Sequence, residues 1–121
     1  MKEYRPKTIF CDIDGTLVEH SSPLLTTTPD FKMKLLPGTL DKLIDWDRKG
    51  YNIILITGRR EGARKETENQ LAEAGIIYDK LIMGIGGGMR CIINDRKPNG
   101  TINYASAINL NRNEGIKNID L

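Results

Sequence analysis

One stretch near the start of the sequence leads from an apolar run into a cluster of polar residues. The run Thr-Ile-Phe-Cys at residues 8–11 is rich in β-forming residues, and Asp12, Asp14, Gly15 and Thr16 follow it closely. This pattern predicts a buried strand that ends in a functional turn, with the chemistry at the strand's carboxyl end. Side chains two residues apart in a strand project to the same side, so the two carboxylates can converge unless the turn re-aims the second. Converging carboxylates repel, and a hard divalent cation such as Mg²⁺ is their natural partner.

The rest of the sequence alternates between helix and strand patterns. After Pro37 and Gly38, apolar residues recur at helical spacing until Gly50, and residues 51–57 form a nearly continuous apolar strand typical of a parallel sheet covered on both faces. A second helix is predicted over residues 61–74, and it stops at Gly75.

Shorter strands are predicted over residues 80–83 and 91–94, with a further candidate at residues 107–110. Alternating strands and helices indicate an α/β fold: a three-layer, Rossmann-like domain with a mostly parallel sheet. A length of 121 residues allows one such domain, spanning residues 1–121.

Composition and charge limit the choice of environment and partners. The net charge of +2 argues neither for nor against nucleic acid. The charged first residues and the short apolar run after them predict no signal peptide and no membrane span, hence a cytoplasmic protein. Cys11 and Cys91 both fall in predicted buried strands, where reduced core thiols are expected rather than a zinc site.

The segment Asp12-Ile13-Asp14-Gly15-Thr16 resembles the first motif of the haloacid dehalogenase (HAD) superfamily in its phosphatase form. The resemblance implies a Mg²⁺-dependent phosphomonoesterase in which Asp12 attacks phosphorus to form an aspartyl-phosphate. Asp14 would protonate the leaving oxygen and then activate water. An Asp at the second position points to phosphoester hydrolysis, because dehalogenases of the superfamily lack it and ion-pumping ATPases carry Thr there.

A second motif of the family is similar to the segment that follows the second predicted strand. The resemblance implies that Thr57 and the Gly58 N–H hold the transferred phosphoryl group. Arg59, Arg60 and Arg64 cluster just beyond, where they either bind a substrate phosphate or form an exposed basic helix face.

The remaining two motifs of the family match less closely. Asp95 resembles the family's fourth motif and would complete the metal site with Asp12 and the Asp14 carbonyl. Asn94 stands where many relatives have a second acid, and it can still coordinate the metal or position a water ligand. The bridging cation of the third motif is absent from its usual place, so Arg90 is the first candidate, followed by Lys80 and Lys97.

Two irregular segments flank this predicted site. Residues 17–36 form a flap over it; they include His20, to which we assign no role. The glycines from Gly84 to Gly88 predict a flexible loop, since they precede a strand and lack the Lys-Ser/Thr of a P-loop. Both segments are too short to hold a cap domain, the extra domain that in members of the superfamily closes over small substrates. The substrate is therefore large, or a neighbouring subunit of a homo-oligomer supplies the lid through the flap.

Several substrates fit this resemblance, which covers roughly residues 8–97. The chain is also similar to phosphatase domains of polynucleotide end-processing enzymes and to small capsule-sugar phosphatases. The expected substrate is thus a sugar phosphate, a nucleotide phosphate or a polynucleotide 3'-phosphate end. The alternative function is a degenerate, non-catalytic phosphate- and metal-binding module of the same fold.

Overall fold

The computed structural model describes residues 5–121, which form a three-stranded parallel sheet with helical connections. The strands are β1 (Thr8–Asp12), β2 (Asn52–Ile56) and β3 (Lys80–Ile82), in the spatial order β1-β2-β3. The α/β fold with a parallel sheet confirms the prediction. Within the described residues, the carboxyl ends of all three strands lie at the same edge of the sheet, because every pairing is parallel.

Helices connect the strands, as the apolar spacing and the glycine stops predicted. A short helix, α1 (Pro23–Thr26), lies in the flap; α2 (Thr39–Arg48) connects β1 to β2; and α3 (Arg64–Ala74), preceded by a 3₁₀ turn at Glu61–Ala63, connects β2 to β3. Gly75 ends α3 in the left-handed conformation, with a φ of 79°. Right-handed crossovers that step in the same direction across the sheet place α2 and α3 on one face.

The hydrophobic core lies between that sheet face and the helices. Its members are buried apolar side chains of the strands, of both long helices, of the turn after β1 and of the C-terminal segment; among them are Cys11, Leu55, Leu43, Leu71 and Ile116. The alternate strand residues Phe10 and Ile82 stay about half exposed on the opposite face. In residues 5–121 no helix is both long and apolar enough to cross a bilayer.

The flap folds back on itself at its base. Val18 and Leu35 form an antiparallel bridge, which backbone hydrogen bonds flank on both sides. The hydroxyl of Thr39, fully buried at the start of α2, donates a 2.6 Å hydrogen bond to the Leu17 carbonyl. The base of the flap is therefore fixed to the core, while Leu24 in α1 is largely exposed.

The predicted strands at residues 91–94 and 107–110 were wrong. Both segments are irregular, and Cys91, predicted to be buried, is exposed, as is Ile93 with 97% of its surface accessible. A four-residue apolar run forms a strand only when a sheet edge pairs with it, and periodicity alone cannot show whether it does. In the described part of the chain neither β1 nor β3 pairs with these segments.

Candidate active site

The site is built on the tight turn that follows β1. The carbonyl of Ile13 accepts hydrogen bonds from the backbone N–H groups of Thr16, Leu17 and Val18, at 2.9–3.2 Å, and the side chain of Ile13 is fully buried. Gly15 has a φ of +88°, a backbone conformation that residues with a Cβ rarely adopt. This anchored turn holds the carboxylates on either side of Ile13 at the carboxyl end of the sheet.

Asp12 is the accessible carboxylate of the site, with 37% of its side chain exposed. Its Oδ2 accepts a hydrogen bond of 3.2 Å from the Thr16 hydroxyl, and Arg90 Nη2 lies 4.0 Å from its Oδ1. Burial raises the pKa of Asp12, and the charge of Asp14 adds to the rise, whereas Arg90 and the Thr16 hydrogen bond oppose it. Additional positive charge beside Asp12 would favour its ionised, nucleophilic form.

Asp14 is held by a bidentate ion pair with Arg59. Arg59 Nε and Nη2 donate to the two carboxylate oxygens at 2.9 and 2.8 Å, and the side chains are only 9% (Arg59) and 19% (Asp14) exposed. Arg59 Nη1 donates to Thr67 Oγ1 at 3.2 Å and to Gln70 Oε1 at 2.7 Å. Arg59 was expected either to bind a substrate phosphate or to form part of an exposed basic helix face, and in the structure its guanidinium is buried and paired with Asp14.

Thr57 lies at the end of β2, beside the turn that carries the carboxylates. Its hydroxyl oxygen accepts the Arg59 N–H at 3.1 Å and so keeps its own proton for another acceptor. Gly58 is exposed, and a Cβ at this position would lie 3.0 Å from the Gly86 carbonyl oxygen. The glycine loop therefore packs directly against the residues predicted to bind a phosphoryl group, while the side chain of Arg60 is exposed to solvent.

The structure ranks the three candidate bridging cations. Arg90 lies beside Asp12 and also donates to the Gly86 carbonyl at 3.4 Å. Lys80 begins β3, at the edge of the sheet opposite the site, and Lys97 stands over the ring of Tyr104. The geometry therefore favours Arg90.

Asp95 and Asn94 do not join the other predicted metal ligands. They line a groove of about 420 Å³ with residues 92, 96 and 103–105, and neither Asp12 nor Asp14 lines it. Between residues 5 and 121, no three Asp, Glu, His or Cys side chains come close enough to hold a metal. The physical reason is that residues 91–94 do not pair with any strand of the described part of the chain, so Asp95 does not follow a sheet strand as the sequence predicted.

The remaining oxygen donors still suit Mg²⁺. This ion typically binds through one or two carboxylates and keeps several waters for exchange with substrate phosphates. Because the Asp14 side chain is paired with Arg59, the donors left among the predicted ligands are the Asp12 carboxylate and the Asp14 main-chain carbonyl, one carboxylate and one neutral oxygen.

One residue of the C-terminal segment, Asn113, supports the site although no sequence pattern pointed to that role. The Asn113 N–H donates to the Gly15 carbonyl at 2.8 Å, and Asn113 Oδ1 accepts the His20 N–H at 2.8 Å. Asn113 has a φ of 64°, a left-handed conformation that Asn tolerates better than most residues. The turn signal Asn-Glu-Gly at residues 113–115 was visible, but not its contact with the first motif.

The fold and these residues define an α/β domain with two carboxylates at the carboxyl end of its first strand, an arrangement that resembles the haloacid dehalogenase superfamily. A family model described as "PITM 1-3, LNS2 domain" matches residues 9–95, and the chain belongs to this LNS2 domain family. No curated protein matches the sequence.

Solved structures agree on the fold. Two chains from structures of the Pnkp1/Rnl/Hen1 RNA repair complex are each 34% identical to this chain, with TM-scores of 0.57 and 0.56; the matches cover 71% and 78% of this chain. They cover 30% and 29% of those chains, so this sequence spans less than a third of their length. A Vibrio cholerae protein, 16% identical, with 74% of this chain and 79% of that one covered and a TM-score of 0.52, shows the fold alone.

Proposed function

We propose that the chain is a Mg²⁺-dependent phosphomonoesterase that works through an aspartyl-phosphate on Asp12. The observation that carries the proposal is the difference in exposure and in partners between the two carboxylates. Asp12 is accessible and lies beside Arg90, whereas Asp14, two residues further along the chain, is held in place by Arg59. A nucleophile and a separately oriented acid–base group are what phosphoester hydrolysis requires.

The proposed reaction has two steps. In the first, an Asp12 carboxylate oxygen bonds to phosphorus, the ester P–O bond breaks, and Asp14 in its acid form protonates the departing oxygen. In the second, Asp14 takes a proton from water, the water oxygen bonds to phosphorus, and the bond to Asp12 breaks to release inorganic phosphate. Asp12 and Asp14 then return to their starting protonation states.

The surrounding groups would bind the phosphoryl oxygens. The Thr57 hydroxyl and the Gly58 N–H would donate hydrogen bonds to them, and the Arg90 guanidinium would offset their charge. Mg²⁺, held by the Asp12 carboxylate and the Asp14 carbonyl, would neutralise charge on the phosphoryl group. Asp95 and Asn94 are not part of this proposed metal site, because they line a separate groove.

The substrate is proposed as a phosphomonoester of a sugar, a nucleotide or a polynucleotide 3' end. The 34% identity with chains of an RNA repair complex supports testing polynucleotide ends first.

We also retain a homo-oligomer as a proposal, because Leu24 and Leu25 of the flap are exposed. Light scattering over a dilution series measures it; a monomer at every concentration would contradict it.

The test of the activity is hydrolysis of p-nitrophenyl phosphate with and without Mg²⁺, followed by a panel of metabolite phosphates and 3'-phosphorylated oligonucleotides. Asp12→Asn should abolish turnover, and Asp14→Asn should lower it by about 10²–10⁴-fold. Asp41→Asn, which changes an exposed carboxylate of α2 in the same way, is the matched control and should retain wild-type activity. Turnover by Asp12→Asn close to wild type would refute the mechanism.

A second candidate function is a non-catalytic phosphate-binding module. The separation of Asp95 and Asn94 from Asp12 favours it, because a smaller ligand set binds metal less tightly. Calorimetric binding of inorganic phosphate and Mg²⁺ by wild-type protein that hydrolyses no ester of the panel would support this second function and exclude the first.

A further inference from the structure

Gln70 connects the flap to the arginine that holds Asp14. Its Nε2 donates to the Thr26 carbonyl, in the last residue of α1, at 2.7 Å, and its Oε1 accepts from Arg59 Nη1 at 2.7 Å. Gln70 is 7% exposed, so both ends of its amide are paired away from bulk water. A continuous path of hydrogen bonds therefore runs from the flap through Gln70 and Arg59 to the two oxygens of Asp14.

The α3 helix presents two acceptors to the same guanidinium nitrogen. Thr67, which is fully buried, lies three residues before Gln70, and this spacing places both side chains on one face of the helix. The Thr67 hydroxyl accepts a hydrogen bond from Arg59, and in residues 5–121 no hydrogen bond joins it to the flap, so within this described part of the chain Gln70 is the member of the pair that reaches Thr26. The amide is therefore a specific link between two parts of the molecule.

We propose that Gln70 is a positioning residue that couples the closed flap to the orientation of the acid–base carboxylate Asp14. If α1 moved away, Gln70 Nε2 would exchange the Thr26 carbonyl for water, and the amide, no longer fixed at both ends, would hold Arg59 Nη1 less firmly. The closed flap and the ordered Arg59–Asp14 pair therefore stabilise each other, and such coupling is reciprocal. The inference deepens the proposed function and rests on it for the role of Asp14.

The consequence is a dependence on the leaving group. An alkyl phosphate expels a strongly basic oxygen and needs the proton from a well-aligned Asp14, whereas p-nitrophenyl phosphate expels a stable phenolate and needs it far less. Loss of Gln70 should therefore slow the first step of the reaction, transfer of the phosphoryl group to Asp12, selectively for alkyl phosphates. A merely structural role would slow both reactions by the same factor.

The experiment compares Gln70→Met, which keeps the side-chain length but removes both polar ends, with Asn69→Met, a control at the exposed neighbouring position on α3. The rate compared is kcat/KM, which reports the first step only, because the second step uses Asp14 in the same way for both esters. We expect Gln70→Met to lower kcat/KM for an alkyl phosphate by about tenfold or more, a part of the 10²–10⁴ that acid catalysis supplies, and kcat/KM for p-nitrophenyl phosphate by less than about threefold. Asn69→Met should leave both rates unchanged. Equal losses on the two esters would overturn the proposal.

Hydrogen exchange of the flap is a second readout that does not depend on turnover. The amides of Leu25, Thr26 and Thr28 are hydrogen-bonded within the flap and should exchange about tenfold faster in Gln70→Met. Gln70→Glu, which keeps an acceptor for Arg59 but has no donor for Thr26, should loosen the flap in the same way. Wild-type exchange in both variants would overturn the link.

The two readouts separate the failure of this inference from the failure of the proposed function. If the wild-type protein hydrolyses neither ester, the proposed function is wrong and the acid–base role of the coupling is overturned with it, even where flap exchange confirms the hydrogen-bond link. If the wild-type protein is active but Gln70→Met affects both esters equally, only the present inference is overturned.

Discussion

Breaking the Arg59–Asp14 ion pair should cost more stability than any surface ion pair of this protein. Arg59→Met keeps the apolar stem but removes both hydrogen bonds to Asp14, whose side chain is 19% exposed and would lose its cationic partner. Removing one member of a buried pair costs about 3–5 kcal/mol, and partial contact of Asp14 with water places the expected value near the lower end, about 3 kcal/mol. For a domain of this length the melting temperature should fall by about 10 °C.

Urea unfolding of a double-mutant cycle isolates the pairwise contribution. The four proteins are wild type, Arg59→Met, Asp14→Asn and the double variant. Because the second substitution removes the carboxylate that the first leaves unpaired, the double variant should be more stable than the sum of the two changes predicts, by about 2 kcal/mol. The m-values should stay equal, so that the midpoints report stability alone.

The matched control is Lys32→Met, which breaks the 3.1 Å ion pair with Glu73, in which the side chains are 78% and 57% exposed. Such surface pairs contribute little, so the control should lose less than about 0.5 kcal/mol. If Arg59→Met lost no more than this control, or if the two site changes added within about 0.5 kcal/mol, the reasoning from burial and geometry would be refuted.

Three further predictions concern the framework of the site. In the native protein iodoacetamide should modify exposed Cys91 but not Cys11, because burial, with a smaller effect of Asp12, raises the pKa of the Cys11 thiol to about 12; mass spectrometry measures it. Asn113→Gly should lower the free energy of unfolding by about 1 kcal/mol, because the hydrogen bond to the His20 N–H is lost. Asn113→Ala should lower it by about 2 kcal/mol, because alanine is also strained in the left-handed conformation of this position; urea unfolding measures both. Gly38→Ala should accelerate proteolysis of the C-terminal segment, because the added Cβ would lie 2.4 Å from Lys117 Cα.

Each of these has a contrary outcome. Equal labelling of the two thiols in folded protein, with unfolded protein as the control for reagent access, would contradict the buried position of Cys11. If Asn113→Ala were as stable as Asn113→Gly, the left-handed backbone at this position would not be costly. A proteolysis pattern for Gly38→Ala identical to that of wild type would show that the C-terminal segment does not pack against the start of α2.

The local pattern of residues predicted most of the regular structure. β1, α2, β2, α3 and β3 each appeared as an apolar run or a helical repeat that glycine or polar residues ended, and all five are present within a few residues of the expected bounds. These elements form because side-chain spacing and chain-ending residues act over a few positions, where a sequence can be interpreted directly.

Local patterns did not predict the structure of segments that depend on a distant partner. The apolar run at residues 91–94 had the composition of a strand, but no described strand pairs with it, and Asp95 consequently lies away from Asp12. Arg90 shows the opposite case: its proximity to Asp12 could be proposed from the family resemblance alone, and the structure places it 4.0 Å away.

The sequence by itself determined the anchored turn with Asp12, Asp14 and Gly15 at the carboxyl end of a buried strand, because strand propensity and the need for a glycine at positive φ are local properties. Only the tertiary structure decided what each carboxylate touches. Arg59 reaches Asp14 across 45 positions of sequence, and Asn113 reaches the same turn from the other end of the chain. Such contacts depend on how helices and segments pack in three dimensions, and no spacing along the chain encodes them.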